Sequence, residues 1–251
     1  MILIPGLACS GEVWDGTVDH FKDRRECHVL TLAGFAGQPP VDGPWMQTMH
    51  EGIATYIREK KLDHPVIVGH SIGGYLTYLI GADEPDLVGP LISVDGLPCL
   101  SAAFNPTITP EQLAQSAQMI RNMAQSTTRE QFDASQKRTL SMWLTKPEDL
   151  QRAEKWGAAS DPKTVYQAMA DMIEKDLRPE VGKIRAPFLL IGAPTPTGTL
   201  TREKIIEAYT AQVEKIPNKK LAFAENSRHF IMYDQPQWLW QQIEAFLKDH
   251  P

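Results

Sequence analysis

The stretch Val66-Ile67-Val68-Gly69-His70-Ser71-Ile72-Gly73 decides the fold. Val66 to Val68 are β-branched and apolar and read as a strand buried on both faces, and a helical pattern begins at Ile72. A strand-to-helix turn this sharp forces its central residue into a strained backbone conformation. Glycines two before and two after it remove side chains that would collide with the neighbouring elements. Ser71 then stands exposed above a sheet, at the N-terminus of a helix whose amides favour developing negative charge. Typical glycine and serine frequencies produce such a pattern by chance in roughly one chain in ten of this length. A strand before it and a helix after it make chance the weaker explanation.

Similar apolar runs flank this stretch. Residues 2–5 stop at Gly6; His28–Leu32, Pro65–Val68, Pro90–Val94 and Pro187–Ile191 follow, with a weaker sixth at Lys220–Ala224. Helical patterns fall between them at Trp45–Lys60, Ile72–Ala82, Thr201–Lys215 and Pro236–Lys248. This alternation predicts an α/β fold with a doubly wound, mainly parallel sheet joined by right-handed crossovers. It breaks once, between about Gly96 and Gly182, where helix starts replace strands. Thr109-Pro110-Glu111-Gln112 and Thr128-Arg129-Glu130-Gln131 fit the capping box, and Asp161-Pro162 puts Pro at a first helical position. The expectation is a helical insertion over 97–182, packed on a core formed by 1–96 and 183–251.

A chain of 251 residues, 42% hydrophobic, can bury one full core with an elaboration. Its net charge of −6 and scattered basic residues argue against a nucleic-acid partner, which needs clustered Lys and Arg. No apolar run approaches the roughly 20 residues of a membrane span, and the start is too short for a signal peptide. A soluble, cytoplasmic protein is expected, unless the native chain extends before Met1. Cys9, Cys27 and Cys99 are too few for a disulfide framework and read as small buried apolar residues. The histidines form no metal-ligand pattern, so no metal is expected. Oligomeric state is not legible.

A serine hydroxyl is a poor nucleophile until a base takes its proton. His229 is the candidate base, because it follows the last predicted strand and precedes the C-terminal helix. Alone it would read as a surface loop histidine. His20, His28, His50 and His64 lie too early in the chain and His250 at its end, while His70 should point away from Ser71 and serve packing or a structural hydrogen bond. A tetrahedral oxyanion also needs donors: the backbone amide after the nucleophile, Ile72, and an amide in the loop after the first core strand, assigned to Leu7 because Gly6 permits close approach.

Three stretches carry a family resemblance: Ile-Pro-Gly-Leu-Ala-Cys-Ser-Gly-Glu-Val-Trp at 4–14, Val-Gly-His-Ser-Ile-Gly-Gly at 68–74 and Arg-His-Phe-Ile-Met-Tyr-Asp-Gln-Pro at 228–236. From Ile2 to about Phe246 the chain resembles an α/β-hydrolase of the esterase and lipase superfamily. The resemblance implies a Ser-His-acid triad, a helical cap over the site and no cofactor. Two departures stand out. Family members carry two antiparallel strands before the one matching Ile2, and this chain has no residues for them, so it is either a shortened form or a truncated sequence. The family acid mostly follows the strand matching Phe188–Ile191, and here Gly192-Ala193-Pro194-Thr195-Pro196-Thr197 supplies no carboxylate.

Asp95 is the alternative acid, at a strand end that a minority of the family uses. Adjacent strands lie only about 4.8 Å apart, so an aspartate at either tip reaches the same histidine loop. Asp95-Gly96 is also an ordinary turn dipeptide whose carboxylate could bond nearby amides. Among rivals, Asp161 and Asp234 sit where helix N-caps belong, and Glu225 precedes His229 on what reads as the same strand.

The expected reaction is cleavage of a carboxylic ester with a largely apolar acyl or alcohol part. Met119, Met123, Met142, Trp143, Trp156 and Met172 of the insertion are flexible or broad apolar groups suited to a substrate pocket, as is Phe230; packing between cap helices explains any one of them as well. The expected partner is a small-molecule ester. A coenzyme A thioester would want a basic landing surface, and no compact Arg/Lys cluster marks one. Lactonase, thioesterase, carbon–carbon hydrolase and perhydrolase activities share the triad, and a ligand-binding receptor can retain it. Epoxide hydrolases and haloalkane dehalogenases use an aspartate nucleophile, and position 71 is serine.

Overall fold

The computed structural model describes residues 1–250 except 197 and 199, so Thr197 of the stretch after the fifth apolar run lies outside the described residues. Strands β1 (Ile2–Ile4), β2 (His28–Val29), β3 (Ile67–His70), β4 (Leu91–Val94), β5 (Phe188–Gly192) and β6 (Lys219–Phe223) form one sheet in the order β2-β1-β3-β4-β5-β6. Every neighbouring pair is parallel. The continuous apolar runs of β1, β3, β4 and β5 are buried throughout, as strands covered on both faces must be.

β2 is shorter than the five residues expected. It lies at the sheet edge with Val29 exposed. Beyond it the ladder gives way: Leu30 still donates to the Leu3 carbonyl at 3.0 Å, but Thr31 uses its hydroxyl to accept from Gly11 N at 2.9 Å.

The helices in chain order are α1 (Asp15–Phe21), α2 (Trp45–Glu59), α3 (Ile72–Asp83), α4 (Pro110–Ser126), α5 (Arg129–Trp143), α6 (Pro147–Ala159), α7 (Pro162–Glu174), α8 (Arg202–Gln212), α9 (Ile231–Asp234) and α10 (Pro236–Asp249). Both capping boxes form: the Thr109 and Thr128 hydroxyls accept from the amides of Gln112 and Gln131, whose side chains accept in return. Asp161 caps α7 by accepting from Thr164 N at 2.8 Å. α1, α6 and the short α9 are not among the helices expected from the sequence. The N-caps of α1 and α6, Trp14 and Lys146, make no side-chain cap bond, although Pro147 at the first position of α6, with Glu148 and Asp149 in its first turn, is a start signal of the kind read at Asp161-Pro162.

Helices α4–α7 are the inserted region between β4 and β5. α4 packs on α7 and α5 on α6, while α7 also touches α2 and α3. Phe132, Tyr166 and Met172 join the apolar cluster containing Tyr75 and Phe188, and Leu140, Ala153 and Trp156 join the one containing Leu3, Val68 and Ile92. Burying such side chains is worth about 1.5–3 kcal/mol each, enough to bind the insertion firmly to the sheet.

The chain leaves β1 toward β2 on one side and returns to β3 on the other. Loops at the carboxyl ends of β1 and β3 therefore diverge, and such a switch point leaves a crevice. The loop carrying Leu7 and the turn carrying Ser71 meet there.

Candidate active site

Ser71 has φ 55° and ψ −116°, a conformation that L-residues rarely adopt. It is imposed from both sides. The Ser71 amide donates to the Val94 carbonyl at 3.0 Å, tying the turn to β4, while its carbonyl accepts from Tyr75 N in the first turn of α3. The flanking glycines let backbones pass within contact: a Cβ on Gly69 would lie 2.0 Å from the Gly73 carbonyl oxygen, and one on Gly73 would lie 2.5 Å from that of Ile4. Ser71 stays partly exposed above the buried β3.

Among the described residues, the amides of Leu7 and Ile72 donate to no backbone carbonyl. Leu7 lies in the loop after β1 and Ile72 is the first residue of α3.

His229 lies in the loop after β6, one residue before Phe230, the N-cap of the short helix α9. Its Nδ1 is 2.7 Å from Asp95 Oδ2. Asp95 directly follows β4 with φ 49°, and its side chain is 7% exposed, so the carboxylate is removed from water and depends on its partners. The other oxygen, Oδ1, accepts from Ala193 N at 2.9 Å and from the Tyr209 hydroxyl at 3.3 Å. Burial, reinforced by the adjacent Asp95 charge, pushes the Tyr209 phenol well above its usual range, which keeps it protonated and able to donate. The Asp95 carboxylate thus meets far more than the local turn amides of an Asp-Gly dipeptide.

His70 is buried beside this pair. Its Nε2 donates to the His229 carbonyl at 3.0 Å, and the two rings lie 4.6 Å apart, centroid to centroid. Burial chiefly, and then the neighbouring His229, hold His70 well below the ordinary histidine range, outweighing that hydrogen bond. It is neutral, with Nδ1 facing Gly6 and unpartnered among the described residues. The structural hydrogen bond expected for His70 is made to the backbone of His229 itself.

The remaining expected site residues scatter. Trp143, the last residue of α5, covers the His229 ring at 4.7 Å between centroids and an interplanar angle of 52°. Trp156 is buried and donates from Nε1 to Glu12 Oε2 at 3.1 Å, linking the insertion to the loop after β1. Met172 and Phe230 are buried in the two core clusters, Phe230 stacked on Tyr233. Met119 and Met123 are 61% and 46% exposed on the outer side of α4, whose buried residues are Leu113 and Ala117, and Met142 is 64% exposed. A helix has one buried stripe, and these methionines fall outside it.

The rival carboxylates have other tasks. Asp161 is the N-cap of α7. Asp234 is not an N-cap as expected: it ends α9 and accepts from the Arg228 amide at 2.7 Å and from the Thr145 hydroxyl. Glu225 lies beyond the end of β6 and is exposed. Tyr209, sixteen residues before Glu225, carried no sequence signal for its role, since only the packing of α8 brings it to Asp95. Cys9 and Cys99 are buried as expected and Cys27 is half-buried; burial raises the Cys9 thiol to about 12, leaving it protonated. No group of His, Cys, Asp and Glu among the described residues is arranged to hold a metal ion. No described helix is long and apolar enough to cross a membrane.

A parallel sheet with this inserted helical region defines the α/β-hydrolase fold, the scaffold of esterase-like hydrolases. The chain belongs to the Alpha/beta hydrolase family, whose model it matches over residues 1–242. Among curated relatives, it is 26% identical over 261 residues to a pimeloyl-[acyl-carrier protein] methyl ester esterase of Aeromonas hydrophila, covering 98% of this chain and 94% of that one. Among solved structures, a thermophilic esterase from Thermogutta terrifontis superposes with a TM-score of 0.82 at 19% identity, covering 100% of this chain and 90% of the other. MenH from S. aureus superposes with a TM-score of 0.81 at 16% identity, covering 99% and 92%.

Proposed function

We propose that the protein hydrolyses carboxylic esters through an acyl-enzyme, with Ser71 as nucleophile, His229 as general base and Asp95 as the acid that orients it. The observation that carries this reading is the 2.7 Å contact between His229 Nδ1 and the buried Asp95. It fixes the tautomer, leaving Nε2 as the proton acceptor, and stabilises the imidazolium that forms when the serine proton arrives.

The Ser71 oxygen attacks the ester carbonyl as its proton passes to His229 Nε2. The tetrahedral oxyanion is held by the amides of Leu7 and Ile72. On collapse the carbon–oxygen bond to the alcohol breaks and His229 returns the proton to the departing alcohol. Water then repeats the sequence on the acyl-enzyme, releasing the carboxylic acid and restoring Ser71. Trp143 supplies an apolar wall beside the base, which favours an apolar acyl or alcohol part. The relatives named as methyl ester esterases support an ester rather than a thioester.

The test is a chain-length series of p-nitrophenyl esters beside a lactone and an acyl thioester. Esters should be turned over with the higher kcat/KM. Preference for the lactone or thioester would move the assignment within the same triad chemistry, and acylation without turnover would make the protein a receptor.

A further inference from the structure

Two segments interlock where the insertion meets the histidine loop, and each carries a residue of the contact described above. One is the segment 141–146, the end of α5 and its link to α6, which presents Trp143; the other is 227–234, which presents His229. The Arg228 guanidinium donates from Nη1 to the carbonyl oxygens of Ser141 and Leu144, both at 3.1 Å. These belong to the last turn of α5, where backbone acceptors lack helical partners and a positive charge is favoured by the helix dipole. Asp234 closes the link from the opposite direction. It accepts from Arg228 N at 2.7 Å and Ser227 Oγ at 3.3 Å on its own loop, and from the Thr145 hydroxyl on the cap. Lys146 Nζ also donates to the Tyr233 carbonyl at 3.4 Å.

We propose that Arg228 is a positioning residue that clamps the end of α5 onto the histidine loop, so that Trp143 is held against the His229 ring and the cap wall keeps register with the base. The proposal rests on the reading of Ser71 and His229 as the catalytic pair. Arg228 precedes His229 in the chain and is exposed; its guanidinium bonds the end of α5 and not Ser71 or the imidazole, so its side chain acts through Trp143. Without it the last carbonyls of α5 lose their charged donor, and only the Thr145 and Lys146 bonds beyond Trp143 still tie the segment to the histidine loop, so Trp143 is held less closely to the imidazole. A misplacement of about an ångström at a reacting centre costs up to about a hundredfold in rate, so the clamp belongs to function as well as to folding.

The test is a double-mutant cycle of Arg228→Ala and Trp143→Ala, read on kcat/KM for the preferred p-nitrophenyl ester. Arg228→Ala should lower kcat/KM by roughly tenfold or more in the wild-type background. In the Trp143→Ala background the same substitution should change it by less than about twofold, the limit expected when the path of coupling has been removed. Arg228→Lys, which keeps the charge at the helix end, should recover most of the loss. Equal effects of Arg228→Ala with and without Trp143, or a lowered Tm with unchanged kinetics, would overturn the proposal. A readout without turnover separates this from failure of the catalytic reading: acrylamide quenching of the emission that Trp143→Phe removes should increase in Arg228→Ala. If it does not increase, the clamp is refuted whatever Ser71 does; if it increases while Ser71→Ala remains active, the clamp stands and the catalytic reading fails.

Discussion

His229 Nδ1 meets Asp95 Oδ2 at 2.7 Å although their parent strands, β6 and β4, are separated in the sheet by β5. The contact passes over the tip of β5, which ends at Gly192. There the Ala193 amide donates to the free Asp95 oxygen at 2.9 Å, so the strand that mostly carries the acid in the family contributes a backbone donor here. A Cβ on Gly192 would come within 2.9 Å of the Tyr209 ring, and the space a side chain would need is filled by that tyrosine. Four expectations follow from the proposed roles and from the packing around them.

Ser71→Ala should abolish ester hydrolysis with the fold intact, because it removes the proposed nucleophile and leaves the strained turn its small side chain. A fluorophosphonate should label the wild-type protein, and peptide mapping should place the adduct on Ser71. An adduct elsewhere, or near-normal turnover by folded Ser71→Ala, would refute the mechanism.

Asp95→Asn keeps the shape of the acid and removes its charge, so kcat should fall by on the order of 10³ to 10⁴. Asp161 and Glu225 substitutions should cost under about tenfold, since one is a helix cap and the other an exposed loop residue. Steady-state kinetics on all three variants reads this directly; an inverted ranking would move the acid elsewhere.

Tyr209→Phe removes one of the two donors to Asp95 Oδ1 that accompany the histidine contact. Hydrogen bonds to charged groups contribute about 1.5–3 kcal/mol, and at 3.3 Å this one belongs at the low end. Urea unfolding should show a stability loss of about 1–2 kcal/mol. The kcat/KM loss should be smaller than that of Asp95→Asn, because His229 and Ala193 still hold the carboxylate. Unchanged stability together with unchanged kinetics would mean that Tyr209 only fills space.

The neutral state of His70 gives the fold a pH dependence. Its folded pKa lies well below the ordinary 6.5, so between those two values the unfolded chain binds a proton that the native state refuses. Its contribution is therefore complete above about 6.5 and is lost as pH falls below that value, at up to about 1.4 kcal/mol per pH unit. Denaturant midpoints from about pH 7.5 down to about 5 should fall more steeply for wild type than for His70→Asn. Parallel curves would count against a buried neutral His70.

The sequence by itself determined the elements whose physics is local. The continuous apolar runs of β1, β3, β4 and β5 read as strands covered on both faces and are so, the Thr-x-x-Gln boxes started α4 and α5 where expected, and the glycines around Ser71 specified a turn that other residues sterically forbid. Weaker local signals went further astray: α6 begins behind an uncapped Lys146, marked only by Pro147 and the two acidic residues after it, and β2 ends at Val29, with the Thr31 hydroxyl accepting from the Gly11 amide. Only the tertiary structure decided which groups converge. Asp95 is 134 residues from His229 and meets it because β4, β5 and β6 are neighbours. Tyr209 reaches Asp95 through the packing of α8, Trp143 reaches His229 through the seating of α5, and Arg228 spans 84 residues to the Leu144 carbonyl. Met119, Met123 and Met142 show the converse, since apolar composition does not say which side of a helix a residue occupies once the helix is docked. Backbone conformation and capping act over a few residues and are written in neighbouring letters, whereas the partner of a buried carboxylate is set by strand order and helix docking, which no short stretch of sequence contains.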